Sequence, residues 1–195
     1  MIKAAFCDDD LSVLNELHVL MDNYRVERNQ EITYTAFHSP LELIAQIEKG
    51  MRFDILFLDV LMPGVNGIET AQEIREYDSA MKIIFLTSSA EYAVESYTVN
   101  AYFYQLKPIW PESFYRLMDS VLKECAQEQR RSLILRCKSG ITQISLDRLM
   151  YCEVQGRTLV FHMQNGEQLE SVGSMDDLSG QLAKYNNFLR AHRSY

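Results

Sequence analysis

The sequence predicts an α/β domain, a parallel sheet of five strands covered on both faces by helices, followed by a smaller, mostly β segment. Short apolar runs alternate five times with stretches of helical periodicity, the pattern of strands buried on both faces between crossover helices. Beyond residue 132 the helices give way to short runs separated by hairpin signals. The charge changes at the same place: residues 1–125 carry a net −10 and residues 126–195 a net +2.

Residues 2–7, IKAAFC, read as a buried strand ending at Asp8-Asp9-Asp10. From there Leu11, Leu14, Leu17, Met21 and Tyr24 recur at helical spacing. Residues 31–37, EITYTAF, alternate and are rich in β-branched and aromatic side chains, so a strand. Ser39-Pro40-Leu41-Glu42 supplies an N-cap, a first-turn proline and a capping-box acid for a helix that Gly50 stops. Residues 54–58, DILFL, form the third strand, ending at Asp59, and Met62-Pro63-Gly64 with Gly67 punctuates a loop. A helix over 68–77, a strand over 82–86 ending at Thr87, and a helix over 90–98 follow. Residues 101–106, AYFYQL, make the fifth strand, ending at Lys107-Pro108. The last helix runs from Pro111 to Gln127, with Phe114, Leu117, Met118, Val121 and Leu122 at helical spacing.

Residues 126–132, AQEQRRS, read as a short polar connection between a first domain over 1–125 and a second over 133–195. In the second, 133–138 and 141–145 flank Ser139-Gly140, and 149–155 and 158–163 read as two more strands. Asn165-Gly166, between TLVFHM and EQLESV, is the strongest hairpin cue in the chain. Ser174 and Asp177 then cap a helix expected to reach Tyr185.

Of 195 residues, 47% are apolar and 24% charged, with four prolines and eight glycines, which excludes a collagen-like or disordered chain. No run approaches the roughly 18 apolar residues of a membrane span, and the acidic start is unlike a signal peptide. The four cysteines form no C-x-x-C pair and no zinc spacing, so they are expected as free, buried thiols in a reducing, cytoplasmic setting.

Chemistry collects where the strands end. Right-handed crossovers put all five carboxyl ends at one edge of a parallel sheet, where such sheets bind ligands. That edge receives Asp8, Asp9, Asp10, Asp59, Thr87 and Lys107. Crowded carboxylates repel one another and call for a cation among them. Mg²⁺ suits this place, since it takes one or two carboxylates plus phosphate oxygens and keeps several waters. With Lys107 balancing charge and Thr87 donating to an oxygen, a carboxylate there is equipped to attack a phosphoryl group. An acid at a strand-to-helix turn is often only an N-cap, a role that fits Asp10.

CDDD (7–10), FLDVLMPGVNG (57–67), FLTSS (85–89) and YQLKP (104–108) resemble the receiver domain of bacterial two-component response regulators, over about residues 1–125. The resemblance implies a doubly wound, flavodoxin-like sheet of five parallel strands. It implies Asp59 as phosphoacceptor, Asp8 and Asp9 as metal-binding acids, and the Leu61 backbone carbonyl as a further Mg²⁺ ligand alongside Asp59. Thr87 would contact the phosphoryl group, Lys107 would be the site lysine in a bond to Pro108 that is often cis, and Tyr104 would be the aromatic switch. Such a protein catalyses only its own phosphorylation and dephosphorylation. A sensor histidine kinase would be its donor, and residues 90–125 the surface remodelled as two conformations exchange.

LxxLMYCEVQGRTLVFHMQNGE (146–167), the helix after it and FLRAHRSY (188–195) resemble the LytTR-type DNA-binding domain of transcription regulators. That resemblance implies a mostly β fold that presses loops into successive major grooves of direct repeats, as a dimer when phosphorylated. Arg157 and Arg193 fall at DNA-contacting positions, with His192 a further candidate; His162, inside a strand, is expected as a cross-strand partner. Members of that family continue past HRSY with further strands and another DNA-contacting loop. A chain ending at Tyr195 is therefore expected to carry an incomplete output domain, as a fragment or a shortened regulator.

Two other readings use the same residues. A haloacid-dehalogenase-type phosphatase would have Asp8 as nucleophile and needs a later acidic pair, for which the domain offers only Glu112, Asp119 and Glu124 on a helix. A receiver acting only through protein contacts, with an inert output segment, would not bind DNA.

Overall fold

The computed structural model describes residues 1–137, 140–183, 185 and 187–191, with the backbone alone for 128–130. The chain divides into two compact units, Met1–Lys123 and Glu124–Tyr195.

In the first unit, strands β1 (Ile2–Cys7), β2 (Ile32–Phe37), β3 (Ile55–Leu58), β4 (Lys82–Thr87) and β5 (Phe103–Leu106) form one parallel sheet in the order β2-β1-β3-β4-β5. The helices are α1 (Leu11–Arg28), α2 (Pro40–Glu48), α3 (Gly67–Tyr77) and α4 (Pro111–Arg130), the last of which passes from the first unit into the second. The order reverses between β1 and β3, so the crevice of a doubly wound sheet opens above those two strands. Alternate residues of each strand face opposite layers. Ala5, Cys7, Leu56, Leu58, Ile83 and Phe85 pack under Leu43, Ile44 and Ile47 of α2 and Ile68, Ala71 and Ile74 of α3. On the other face Phe6 meets Phe57 edge-on, and Phe57 stacks on Phe114 of α4 at 5.5 Å. Tyr24 of α1 completes that layer, edge-on to Phe114, with its hydroxyl donating to Asp119 at 2.8 Å.

The caps follow the sequence reading. Asp10 accepts from the Ser12 amide, and Ser39 accepts from the Leu41 amide ahead of Pro40. One helix is corrected. Residues 90–98 do not form an α-helix but two 3₁₀ turns, Glu91–Ala93 and Glu95–Val99. The Ser96 hydroxyl donates to the Ala93 carbonyl and the Thr98 hydroxyl to the Glu95 carbonyl, each at 2.7 Å. Those short-range bonds favour the tighter turn, and only Ser96 and Val99 are buried to reward a longer helix. The polar segment after residue 125 is helical as far as Arg130.

The second unit is an antiparallel sheet of β6 (Ser132–Cys137), β7 (Gly140–Ser145), β8 (Leu149–Gln155), β9 (Thr158–Met163) and β10 (Gln168–Val172), ordered β8-β9-β10-β6-β7. Helix α5 (Met175–Leu182), capped by Ser174, places Met175 and Leu178 against Leu133, Leu135, Leu159, Phe161 and Met163. It ends three residues before the expected Tyr185. Gly156 and Arg157 form the two-residue turn between β8 and β9, where the positive φ of +65° falls on the glycine. His162 is a cross-strand partner: it stacks on Tyr151 at 4.1 Å, and its Nε2 lies 3.1 Å from Glu153.

Candidate functional site

The site is assembled from backbone outward. β1 and β3 pair in register, so Asp8 and Asp59, each one residue past its strand, sit side by side at the carboxyl edge. Both are nearly buried, at 2% and 6% exposure. The Asp59 amide donates to the Cys7 carbonyl at 2.9 Å, and its Oδ1 accepts from the Leu61 amide at 3.2 Å. Asp8 Oδ1 accepts from the Asp10 amide at 3.0 Å. Lys107, one residue past β5, extends its Nζ to within 2.7 Å of both Asp8 Oδ2 and Asp59 Oδ2. The Lys107-Pro108 bond is cis.

Electrostatics reflect this crowding. Burial raises the pKa of Asp8, against the pull of Lys107. Burial also opposes the charge on Lys107, but hydrogen bonds from its ammonium to Asp59 and Asp8 hold its pKa above the ordinary value. Asp10 belongs elsewhere: the hydroxyl and amide of Ser12 hold it below the usual carboxylate range, as an N-cap.

Thr87 ends β4, the strand beside β3, and is fully buried. Its Oγ1 lies 3.5 Å from the amide of Ser89. The carbonyl of that same Ser89 accepts the hydroxyl of Tyr104 at 2.7 Å. Tyr104 is half-buried on β5, its ring 6.0 Å from Phe85, and burial followed by the charge of Asp59 raises its pKa. Ser89 was not singled out by sequence: it acts through its backbone, which no residue pattern reports.

Asp8, Asp9 and Asp59 each present an oxygen within 4.8 Å of the others. Three hard oxygen donors, two of them buried beside one ammonium, fit a divalent cation such as Mg²⁺. Of the candidate site residues, Asp8, Asp9, Asp59 and Lys107 are thus brought together, with the Leu61 amide on Asp59 and Thr87 on the adjoining strand end. Glu112 lies in the first turn of α4, and Asp119 is engaged with Tyr24 and Arg28 on the α1 side, so neither supplies the acidic pair of a phosphatase.

Arg157 lines a cleft of ≈ 750 Å³ in the second unit with Gly156, Gly173, Ser174, Met175, Asp176 and Arg190, and Arg190 pairs with Asp176. His192 and Arg193 lie outside the described residues.

Residues 5–119 match the family of response regulator receiver domains. The sensory transduction protein LytT of Oceanobacillus iheyensis is 31% identical over 149 residues, 73% of this chain and 60% of LytT. The transcriptional regulatory protein NatR of Bacillus subtilis is 26% identical over all of this chain and 81% of its own. The accessory gene regulator protein A of Staphylococcus aureus is 28% identical, again over all of this chain and 85% of its own. Among solved structures, the response regulatory domain of mrkE from Klebsiella pneumoniae superposes with a TM-score of 0.58 at 23% identity, covering 65% of this chain and 99% of that one. The chemotaxis protein CheY4 of Vibrio cholerae superposes with a TM-score of 0.54 at 25% identity, over 62% of this chain and 98% of its own. No helix among the described residues is long and apolar enough to cross a membrane. A receiver match over most of the first unit and an acidic crevice at its carboxyl edge lead to one conclusion: the chain belongs to the family of response regulator receiver proteins.

Proposed function

We propose that Asp59 accepts a phosphoryl group from a sensor histidine kinase and that the change alters how the second unit engages DNA. The observation that carries this reading is the pairing of a nearly buried Asp59 with Lys107, beside Asp8 and Asp9. An Asp59 carboxylate oxygen would form a bond to phosphorus as the bond to the donor nitrogen breaks, the donor keeping that electron pair and taking up a proton. Lys107 neutralises charge on the carboxylate and then on the phosphoryl oxygens. Thr87 offers its hydroxyl to one of those oxygens, which draws on the same segment that holds Tyr104 at Ser89. Mg²⁺, held by Asp8, Asp9, Asp59 and the Leu61 carbonyl, would supply charge neutralisation.

The working division is a receiver over 1–125, a connection over 126–132 and an output domain over 133–195. The protein would act in the cytoplasm, as a homodimer on direct repeats when phosphorylated. Arg157, in a hairpin turn, would fork onto guanine or clamp phosphate, and His192 and Arg193 would join it.

The test is label transfer from acetyl phosphate with MgCl₂. The native chain should label and Asp59→Asn should not; undiminished labelling of that variant would sink the assignment. On DNA, Arg157→Ala should lower affinity and flatten the slope of log K against log salt by about one.

A further inference from the structure

Of the three glycines in the first unit, only Gly67, which the sequence marks as loop punctuation, has main chain where a Cβ would stand. Gly67 is the first residue of α3. Its backbone is not in the left-handed region, so no dihedral requires glycine there. Helix propensity favours alanine over glycine at such a position. The reason for glycine is what lies opposite. A Cβ on Gly67 would stand 2.0 Å from the carbonyl oxygen of Asp59, 2.7 Å from Cα of Val60 and 2.9 Å from the carbonyl carbon of Asp59. All three are backbone atoms, and none can swing aside as a flexible side chain would. The approach is locked from the other side by the Gly67 amide, which donates to the Val60 carbonyl at 2.9 Å. Asn66 holds the helix start in place by accepting from the Ile68 amide at 2.8 Å.

We propose that Gly67 is a positioning residue for phosphoryl transfer: the bare start of α3 is the surface against which the main chain of Asp59 is seated, and this seating aims its carboxylate at Lys107 and the cation site. The proposal rests on Asp59 being the phosphoacceptor. A methyl group at residue 67 needs about 1 Å or more of extra room, since real Cβ contacts essentially never fall under 3.0 Å. Asp59 has little slack to give it, because its amide is tied to Cys7 and its Oδ2 to Lys107. The displacement therefore passes to the carboxylate.

The experiment compares Gly67→Ala with Gly64→Ala in the full chain. Gly64 sits in the same loop at φ +78° with nothing within 4 Å of an added Cβ, so its alanine strains the loop without touching Asp59. Phosphorylation by acetyl phosphate with MgCl₂ is followed across donor concentration. Gly67→Ala is expected to lower the maximal rate by about a hundredfold, the effect of a misplacement near 1 Å, and to leave half-saturation where it was. Gly64→Ala should stay close to the native rate. A native maximal rate for Gly67→Ala, or an equal loss in Gly64→Ala, overturns the proposal. Should Gly67→Ala melt below assay temperature, it is assayed in sucrose, which restores compact states, and the low rate is still required. Asp59→Asn is run alongside. If it labels like the native chain, the phosphoacceptor reading has failed; if it is dark while Gly67→Ala labels normally, only the positioning role has failed.

Discussion

The ammonium of Lys107 and the carboxylate of Asp59, 48 residues apart in sequence, meet at 2.7 Å. Their side chains are 19% and 7% exposed, and the same ammonium serves Asp8, whose side chain is 3% exposed. One cation thus keeps two nearly buried anions from facing each other uncompensated.

Removing it should be costly. Lys107→Met is expected to lose about 3 kcal/mol of stability, the cost of leaving buried charge unpaired. Added MgCl₂ should recover more of the melting temperature in this variant than it adds to the native protein, because the ion replaces the missing charge. Thermal melts with and without MgCl₂ check this; equal shifts in the two proteins would count against a cation among these acids.

Cys7, directly before Asp8, links the site to alkaline stability. Burial, then the charges of Asp8 and Asp59, pushes its thiol from 9.0 up to about 12. The unfolded chain ionises this thiol near its ordinary value and the folded chain does not. The stabilisation is whole below pH 9 and is lost as pH rises towards 12, by about 1.4 kcal/mol per pH unit. Cys7→Ala lacks this loss, so the stability gap between native protein and variant should narrow steadily above pH 9. Urea midpoints across that range measure it, and parallel curves would rule it out.

Arg75, on α3, donates to four main-chain oxygens: Val99 at 2.8 Å, Asp78 at 3.1 Å, Met81 at 2.8 Å and Asn100 at 3.2 Å. It closes the end of the 3₁₀ segment onto the start of β4. Arg75→Met keeps the apolar stem but strands those carbonyls, and should cost about 2–3 kcal/mol. Amide exchange over residues 96–101 should accelerate with it. Arg75→Lys should restore less than half of the loss, because an ammonium cannot fork as a guanidinium does.

Much of the receiver was legible because its signals are local. Continuous apolar strands announced a sheet buried on both faces, and the residue after each strand announced the edge where Asp8, Asp59, Thr87 and Lys107 gather. Arg75 was not legible, since its partners Val99 and Asn100 lie 24 and 25 residues away and are main-chain oxygens. The segment 90–98 misled for a different reason. Its apolar spacing suits a helix, but the hydroxyls of Ser96 and Thr98 take the carbonyls that shape the turn. The polar stretch after residue 125 reads as a connection because it lacks an apolar stripe, although its Ala, Gln and Glu are good helix formers. In the second unit, Asn165-Gly166 marked its hairpin plainly; the Gly156-Arg157 turn showed itself only through the strands on either side.

Asp8, Asp59 and Lys107 come from the ends of β1, β3 and β5, and the Lys107–Asp8 contact spans 99 residues of chain. Such a contact has a high loop-closure cost and forms only when nearly the whole sheet is registered. A nascent receiver on the ribosome, or one whose β5 has locally opened, holds Asp59 without its ammonium. If Asp59 accepts a phosphoryl group as proposed, competence to do so would come only with finished folding, and immature copies would stay silent without any separate inspection step.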